Sequence, residues 1–154
     1  MTKIFISGVA GFLGSHLADK MLSEGHEVVG CDNLIGGYQD NVPQGVEFYN
    51  QDLNDLEGIS KILNEVDIVY HSACTAYEGL SVFSPSIITR NTLQISVNMM
   101  TAAIQSGVNR FVQCSSMARY GTQDKTPFDE DMQCKPQDPY GIAKYSAELI
   151  LKNL

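Results

Sequence analysis

With 154 residues, of which 44% are hydrophobic and 18% charged, the chain has the size and composition of one ordinary globular domain. Its net charge of −8 argues against nucleic acid and anionic membranes as partners. No apolar run approaches transmembrane length, and a domain this long buries roughly 70% of its unfolded surface, so it needs no disulfides to fold.

The first 32 residues predict a strand, a helix and a second strand around a glycine-rich turn. Residues 2–7 form a nearly all-apolar strand. The turn that follows contains three glycines at intervals of three, Gly8, Gly11 and Gly14. Residues 15–24 have apolar positions at helical spacing, and Gly25 ends that helix. A second buried strand covers 27–31 and ends at Asp32.

Each feature of this unit suits the binding of a dinucleotide. Gly8 allows a tight exit from the strand, Gly11 lets a pyrophosphate approach the backbone, and Gly14 lets the helix pack closely on the sheet. The N–H groups at the helix start then face the phosphates. Asp32, placed 18 residues after Gly14, can accept from an adenosine ribose and would repel a 2′-phosphate, which favours NAD over NADP. The alternative is a structural turn that binds nothing.

The glycine spacing Gly-x-x-Gly-x-x-Gly, the residues 11–17 (GFLGSHL) and the residues 32–34 (DNL) resemble the extended short-chain dehydrogenase/reductases. The resemblance is greatest to the NAD-dependent nucleotide-sugar epimerases of the UDP-glucose 4-epimerase type. It implies an α/β, Rossmann-like, doubly wound parallel sheet with strand order 3-2-1-4-5. It also implies cofactor contacts from Phe12, Leu13 and Asn33, and a loop at 33–45 that passes near the adenosine.

A third strand at 46–50 precedes a polar turn. By the resemblance, Asp52 and Leu53 hold the adenine, with Asp52 accepting from its amino group. The alternative for this turn is that Asp52 or Asn54 is the N-cap of a short helix at 55–64.

The fourth predicted strand, 66–70, ends at His71-Ser72-Ala73-Cys74. The family has a similar His-x-Ala-Ala stretch that passes the cofactor phosphates and ribose, so the resemblance adds His71 and Ala73 to the cofactor site. A histidine here could act as a base, but one that closes a buried strand is more often a packed structural residue, and we favour the structural role.

A long helix is predicted from Pro85 to its glycine stop at Gly107. Its apolar residues form two stripes, the first with Ile88, Ile95, Met99 and Ala102, the second with Leu93, Val97, Met100 and Ile104. One stripe can cover the sheet and the other can meet a further helix. Asn91 matches a family asparagine near the cofactor. Residues 110–116 form the fifth strand and its carboxyl end.

Tyr140 and Lys144 lie four residues apart and would share one face of a helix. A nearby ammonium favours the phenolate, so Tyr140 could take a proton from a sugar hydroxyl. The same spacing also occurs on ordinary solvated helix faces. By the resemblance, Tyr140 and Lys144 also contact the cofactor, Lys144 through the nicotinamide ribose.

Ser116 completes the catalytic set that the resemblance implies. It matches the family Ser/Thr that hydrogen-bonds the reacting hydroxyl, while the alternative is a serine that caps a turn. The related 4,6-dehydratases carry an Asp-Glu pair directly after this position, where this chain has Met117-Ala118. The resemblance therefore favours epimerisation through a transient 4-keto sugar, with the hydride held on NAD.

Family members continue with a further strand and a C-terminal lobe that grips the nucleotide sugar. We therefore expect 1–154 to be an NAD-binding domain that lacks the substrate lobe, in which NAD binding survives better than turnover. The alternative is a non-catalytic NAD-binding or regulatory module. The resemblance implies a homodimer through the helices at 85–107 and 139–154. The four widely spaced cysteines favour buried free thiols in a reducing cytoplasm over disulfides or a metal site.

Overall fold

A computed structural model describes residues 1–154, which divide into two compact units. The first unit contains residues 1–74 and 98–114, and the second contains residues 75–97 and 115–154. The strands are β1 (Lys3–Ser7), β2 (Glu27–Asp32), β3 (Glu47–Asn50), β4 (Ile68–His71) and β5 (Arg110–Gln113). The helices are α1 (Phe12–Ser23), α2 (Leu56–Ile62), α3 (Glu78–Ser81), α4 (Pro85–Thr89), α5 (Ile95–Gln105) and α6 (Pro139–Leu151). A π turn lies at Arg90–Gln94, and short 3₁₀ turns lie at Gln39–Asn41 and Met117–Arg119.

The first unit is built on a five-stranded parallel sheet with the order β3-β2-β1-β4-β5. This confirms the predicted Rossmann-like order. Ser7 at the end of β1 is in register with Cys31 on one side and His71 on the other, so the carboxyl ends of β1, β2 and β4 lie at one edge. Under α1, the core contains Ile4, Ile6, Val9, Ala18 and Val28. Ligands of such sheets bind at the carboxyl edge.

Helix α1 begins at Phe12, three residues earlier than the apolar pattern predicts. The glycine turn passes directly into the helix, because the backbone N–H of Ser15 already donates to the carbonyl of Gly11 at 3.0 Å. At the other end, Gly25 has φ +81° and its N–H donates to Leu22, as predicted for a glycine stop.

The N-cap of α2 is Asp55, whose side chain accepts from the backbone N–H of Gly58 at 3.1 Å. The alternative in which Asp52 or Asn54 caps this helix is therefore wrong. The Asp52 carboxylate instead accepts from the backbone N–H of Asn54, which closes a separate turn before the helix.

The predicted long helix is present, but a π turn at Arg90–Gln94 divides it into α4 and α5. All four residues of the first predicted stripe are buried. The residues of the second predicted stripe differ in burial, because Met100 is buried while Ile104 is exposed. A π turn inserts one extra residue, so the faces after it are rotated relative to a regular helix.

Candidate functional site

At its glycines, the turn after β1 has little or no space for a side chain. Gly8 has φ +72°, and a Cβ there would lie 2.9 Å from the Cα of Ala73. A Cβ on Gly14 would lie 2.1 Å from the carbonyl oxygen of Gly8, and one on Gly11 would lie 3.2 Å from the same oxygen. Glycine at these positions therefore lets α1 begin against the turn and leaves a surface lined by backbone.

The first turn of α1 offers backbone N–H groups with no acidic side chain beside them. Its N-cap is Gly11, which has no side chain to accept from those groups, and no Asp or Glu lies in the first turn. The first N–H groups of a helix have no acceptor within the helix, and the helix dipole makes this end positive. Phe12 and Leu13 are exposed here. This donor set fits the pyrophosphate of a dinucleotide.

Asp32, at the end of β2, holds the glycine turn through its carboxylate. One oxygen, Oδ2, accepts from the backbone N–H of Ala10 at 3.0 Å, and Oδ1 accepts from the N–H of Leu34 at 2.8 Å. The carbonyl of Ala10 accepts in turn from the N–H of Tyr38 at 3.1 Å and from the side-chain amide of Asn41 at 3.0 Å. Each carboxylate oxygen has a second lone pair, which suits ribose hydroxyls as further donors.

A hydrogen bond and close packing hold the loop after Asp32. The side-chain oxygen of Asn33 accepts from the backbone N–H of Ile35 at 3.2 Å, and Leu34 has a positive φ of 61°. A Cβ on Gly37 would lie 2.8 Å from the backbone of Ala10, so the loop packs directly against the glycine turn. The Asn33 side chain is exposed at this edge, where the resemblance places it beside the cofactor.

The turn after β3 carries Asp52 and Leu53. The Oδ1 atom of Asp52 accepts from the backbone N–H and from the side-chain amide of Asn54, both at 2.8 Å. Leu53 is buried, and its carbonyl accepts from the Asn98 side-chain amide at 2.9 Å. Sequence reasoning missed Asn98. Its only signal is a polar residue flanked by Val97, Met99 and Met100 in an apolar helix.

A buried hydroxyl joins the ends of β1 and β4. The Ser7 hydroxyl oxygen accepts from the backbone N–H groups of Ser72 and Ala73 at 3.1 and 3.2 Å. Both of its lone pairs are then occupied, so its proton points at Nδ1 of His71, 2.6 Å away. The tautomer that accepts this bond carries its proton on Nε2.

The His71 side chain is completely buried, which agrees with the predicted structural role. This burial gives no support to the cofactor contact assigned to His71, which stays a prediction. His71 acts by holding Ser72 and Ala73 through Ser7, and Ala73 is the residue that lies against Gly8.

In the second unit, Ser116 begins the 3₁₀ turn Met117–Arg119, and its hydroxyl oxygen accepts from the backbone N–H of Ala118 at 3.2 Å. It therefore has the turn-capping role considered as the alternative. The hydroxyl proton is not used in this bond and remains a donor for a ligand oxygen.

Tyr140 and Lys144 occupy the same face of α6, with the Lys144 ammonium nitrogen 6.0 Å from the centre of the Tyr140 ring. They are 6% and 2% exposed, so the alternative of a solvated helix face is wrong. Asp138 caps the helix by accepting from the backbone N–H of Gly141 at 3.0 Å, and Pro139 occupies the first turn.

The helix that carries Tyr140 and the turn that carries Ser116 are in direct contact. A Cβ on Gly141 would lie 2.6 Å from the carbonyl oxygen of Ala118, so glycine lets the two backbones approach. The structure thus brings together the three residues assigned to catalysis on neighbouring elements. Asn91 lies in the π turn, which also packs against α6, and its carbonyl accepts from the Thr75 N–H at 3.2 Å.

A buried ion pair that sequence reasoning missed lies beside this set. The Glu148 carboxylate accepts from Arg119 through one oxygen and from the Ser115 hydroxyl through the other. Hydrogen bonding to Glu148 raises the pKa of Arg119 above its ordinary value. The signal in the sequence is spacing, because Glu148 follows Lys144 by four residues, as Lys144 follows Tyr140.

All four cysteines are free, but only Cys31 is buried, while Cys74, Cys114 and Cys134 are half-buried. The expectation of buried thiols is therefore wrong for three of them. Burial raises the pKa of Cys31 to about 12, and its sulfur donates to the carbonyl of Gln51 at 3.3 Å. The side chains include no cluster of His, Cys, Asp and Glu able to hold a metal ion. None of the helices combines the length and apolarity needed to cross a membrane.

Several known proteins are similar to this chain in sequence and in fold. A UDP-glucose 4-epimerase from Neisseria meningitidis serogroup C is 35% identical over all of this chain and 48% of its own length. A crystal structure of a UDP-glucose 4-epimerase with UDP-glucose from Thermotoga maritima superposes with a TM-score of 0.95 at 33% identity, over 99% of this chain and 50% of that one. A UDP-glucose 4-epimerase from Brucella ovis in complex with NAD gives a TM-score of 0.95 at 30% identity, over 99% of this chain and 47% of that one.

The chain therefore spans about half the length of the relatives that it matches. The family model described as the NAD dependent epimerase/dehydratase family matches residues 4–154. The predicted family and the predicted fold are both confirmed, and NAD is confirmed as the cofactor on which the family depends. With its glycine turn and its parallel sheet, this chain belongs to the NAD dependent epimerase/dehydratase family.

Proposed function

We propose that this chain is the NAD-binding part of a nucleotide-sugar epimerase that acts through a transient 4-keto sugar. The observation that carries the cofactor assignment is the bond between the Asp32 carboxylate and the Ala10 N–H of the glycine turn. It joins a carboxylate that can accept from a ribose to a glycine turn that leads into helix N–H donors, and a dinucleotide requires this combination. The relative solved with bound NAD supports this choice of cofactor.

Most of the proposed cofactor contacts come from residues of the first unit. Gly8, Gly11 and Gly14 admit the pyrophosphate, with Phe12 and Leu13 at the helix start. Asp32 and Asn33 meet the adenosine ribose, and Asp52 with Leu53 meets the adenine. The negative charge of Asp32 disfavours a ribose 2′-phosphate, so NAD is selected over NADP. NAD bound there would supply a group that can accept a hydride and give it back.

The chemistry falls to three side chains of the second unit. Tyr140 removes the proton from the sugar C4 hydroxyl and later returns it, as general base and then general acid. The Lys144 ammonium on the same helix face favours the phenolate that this step needs. The Ser116 hydroxyl donates a hydrogen bond to the reacting oxygen and so orients it. We also assign Asn91, Tyr140 and Lys144 to the cofactor, because their sequence positions resemble those of the family.

The substrate class that the matched relatives support is a UDP-sugar, because the Thermotoga maritima enzyme was solved with UDP-glucose. Epimerisation is favoured over dehydration because the positions after Ser116 are Met117 and Ala118, which cannot supply an acid for elimination of water. We place the protein in the cytoplasm as a homodimer. The apolar side chains exposed on α4 and α6, at Ile87, Ile142 and Leu149, support the dimer.

Calorimetric titration of the purified chain with NAD and with NADP tests the cofactor assignment. We expect NAD to bind at least about tenfold more tightly, because NADP brings a 2′-phosphate against the Asp32 carboxylate. Equal or tighter binding of NADP would contradict the proposal.

The catalytic assignment is tested in the proposed epimerase that contains these residues. The assay measures conversion of UDP-glucose into UDP-galactose, and a panel of other nucleotide sugars is tested in the same way. Epimerase catalysis predicts turnover that Tyr140→Phe abolishes while NAD binding is kept. The rival proposal, a non-catalytic NAD-binding or regulatory module, predicts NAD binding without turnover and without absorbance at 340 nm when UDP-glucose is added.

A further inference from the structure

A side chain of α5 anchors the turn on which Asp52 lies. The side-chain amide of Asn98 donates to the carbonyl of Leu53 at 2.9 Å, across 45 positions of the sequence. Both residues are buried. A buried carbonyl without a donor is unfavourable, so this bond selects the position of the turn relative to α5.

Two further bonds of the turn are local. Asp52 accepts from Asn54 through Oδ1, and the carbonyl of Asp52 accepts from the backbone N–H of Asp55 at 3.0 Å. These bonds set the shape of the turn but not its location. On the other side, the N–H of Gln51 donates to the carbonyl of Asp32 at 3.1 Å, which aligns the end of β3 with the ribose-binding carboxylate. Asn98 is therefore the side chain that holds the turn from the helix side.

We infer that Asn98 is a positioning residue for the adenine end of the cofactor: its amide fixes Leu53 and thereby directs the Asp52 carboxylate at the adenine amino group. The inference rests on the proposed NAD function. It follows because Asp52 and Leu53 are consecutive, so a displacement of the Leu53 carbonyl moves the backbone from which the Asp52 side chain projects.

The test compares NAD with nicotinamide hypoxanthine dinucleotide, in which an oxygen replaces the adenine amino group. We expect the wild-type chain to bind NAD at least about tenfold more tightly than this analogue, because the adenine amino group donates to a carboxylate. Asn98→Asp has almost the same shape but cannot donate, and it should reduce this preference to about threefold or less. A variant that only destabilised the fold would weaken both ligands alike.

Ala103→Gly is the matched control, since it weakens the same helix through backbone freedom and removes no hydrogen bond of a side chain. It should keep the full preference. If Asn98→Asp does not fold, Asn98→Ala removes the donor without adding charge and carries the same expectation. In the wild-type chain, the Asn98 side-chain amide resonances should shift on addition of NAD and stay unchanged with nicotinamide mononucleotide.

The outcomes separate the inference from the proposed function. Retention of the full preference in a folded Asn98 variant would overturn the positioning role and leave NAD binding intact. A wild-type chain that binds both dinucleotides equally would also overturn it, again without touching the cofactor assignment. Failure of the wild-type chain to bind NAD at all would overturn both.

Discussion

The carboxylate of Asp32 accepts a hydrogen bond from the backbone N–H of Ala10 at 3.0 Å, which links the end of β2 to the middle of the glycine turn. The group proposed to bind the ribose therefore also shapes the backbone proposed to bind the pyrophosphate. A substitution at Asp32 should affect both ends of the adenosine diphosphate at once, which a purely ribose-binding residue would not do.

Asp32→Asn tests this double role. The asparagine side chain has a single oxygen, so it can accept from the backbone N–H of Ala10 or of Leu34 but not from both as the carboxylate does. The substitution also removes the negative charge that repels a 2′-phosphate. We expect NAD affinity to fall by about tenfold, or about 1.4 kcal/mol, and the preference for NAD over NADP to shrink. Asp40→Asn, an equal charge change at an exposed position of the same loop, is the control and should leave both affinities unchanged. Full selectivity in Asp32→Asn would refute the role.

Gly14→Ala tests the close approach of α1 to the glycine turn. The added Cβ would lie 2.1 Å from the carbonyl oxygen of Gly8, so the helix start must move away. We expect a stability loss of about 1–3 kcal/mol in chemical denaturation, together with loss of NAD binding. Gly79→Ala adds the same methyl group where nothing lies within 4 Å, and should leave the stability equal or slightly higher. Wild-type affinity in Gly14→Ala would contradict the structure of the turn.

Cys31 should make the stability pH-dependent in alkaline solution. The thiol has an ordinary pKa of 9.0, which burial raises to about 12 in the folded chain, with a smaller contribution from the charge of Asp32. Between these values the unfolded chain has lost the proton and the folded chain keeps it, so a rising pH favours unfolding. Below pH 9.0 the contribution is fully present.

We therefore expect the wild-type chain to lose about 1.4 kcal/mol more stability between pH 8 and 10 than Cys31→Ser, which has no thiol to ionise. Urea unfolding of both proteins at several pH values measures the difference, and the ionisations common to both cancel. Identical pH dependence of the two proteins would show that Cys31 ionises equally well when folded.

Glu148 should be important for stability because its carboxylate serves both Arg119 and Ser115. The side chains of Arg119 and Glu148 are 18% and 10% exposed, so Glu148→Ala leaves a largely buried guanidinium without its partner. We expect a loss of about 2 kcal/mol, between the values for surface and for fully buried pairs. In the double variant Arg119→Met/Glu148→Leu, the loss of stability should be smaller than the sum of the losses in Arg119→Met and in Glu148→Leu.

The matched control is Glu57→Ala, which breaks the exposed Lys61–Glu57 pair on α2 and should have no measurable effect. Thermal and urea unfolding measure Glu148→Ala, Glu57→Ala, the double variant, and its two single variants Arg119→Met and Glu148→Leu. An equal effect of Glu57→Ala and Glu148→Ala would contradict the special role of the buried pair.

Self-association should depend on the apolar side chains that α4 and α6 expose. Ile87 and Ile142 are each more than half exposed, and pairing of these helices with a second copy would bury them. We expect a dimer in analytical ultracentrifugation, and its dissociation in Ile142→Glu. Ile35→Glu, an equal change at an exposed residue of the loop after β2, should leave the dimer intact. A strictly monomeric wild-type chain at high concentration would refute this prediction.

The order of the sheet followed only from the resemblance to the family. The sequence by itself determined the strand–turn–helix–strand start and the placement of Tyr140 and Lys144 on one helix face. These features depend on local periodicity and on glycines at fixed spacing, which require no knowledge of distant contacts. The glycine stop at Gly25 was equally readable, because only a residue without Cβ adopts its positive φ at no cost.

Only the tertiary structure decided which polar side chains support the site. The bonds from Asn98 to Leu53 and from Ser7 to His71 join residues 45 and 64 positions apart, and the Arg119–Glu148 bond spans 29. It also decided that Asp55, not Asp52, caps α2, and that Lys144 is buried. The partner of a polar group depends on which surfaces the packed core brings within about 3 Å, and a linear pattern does not contain that distance.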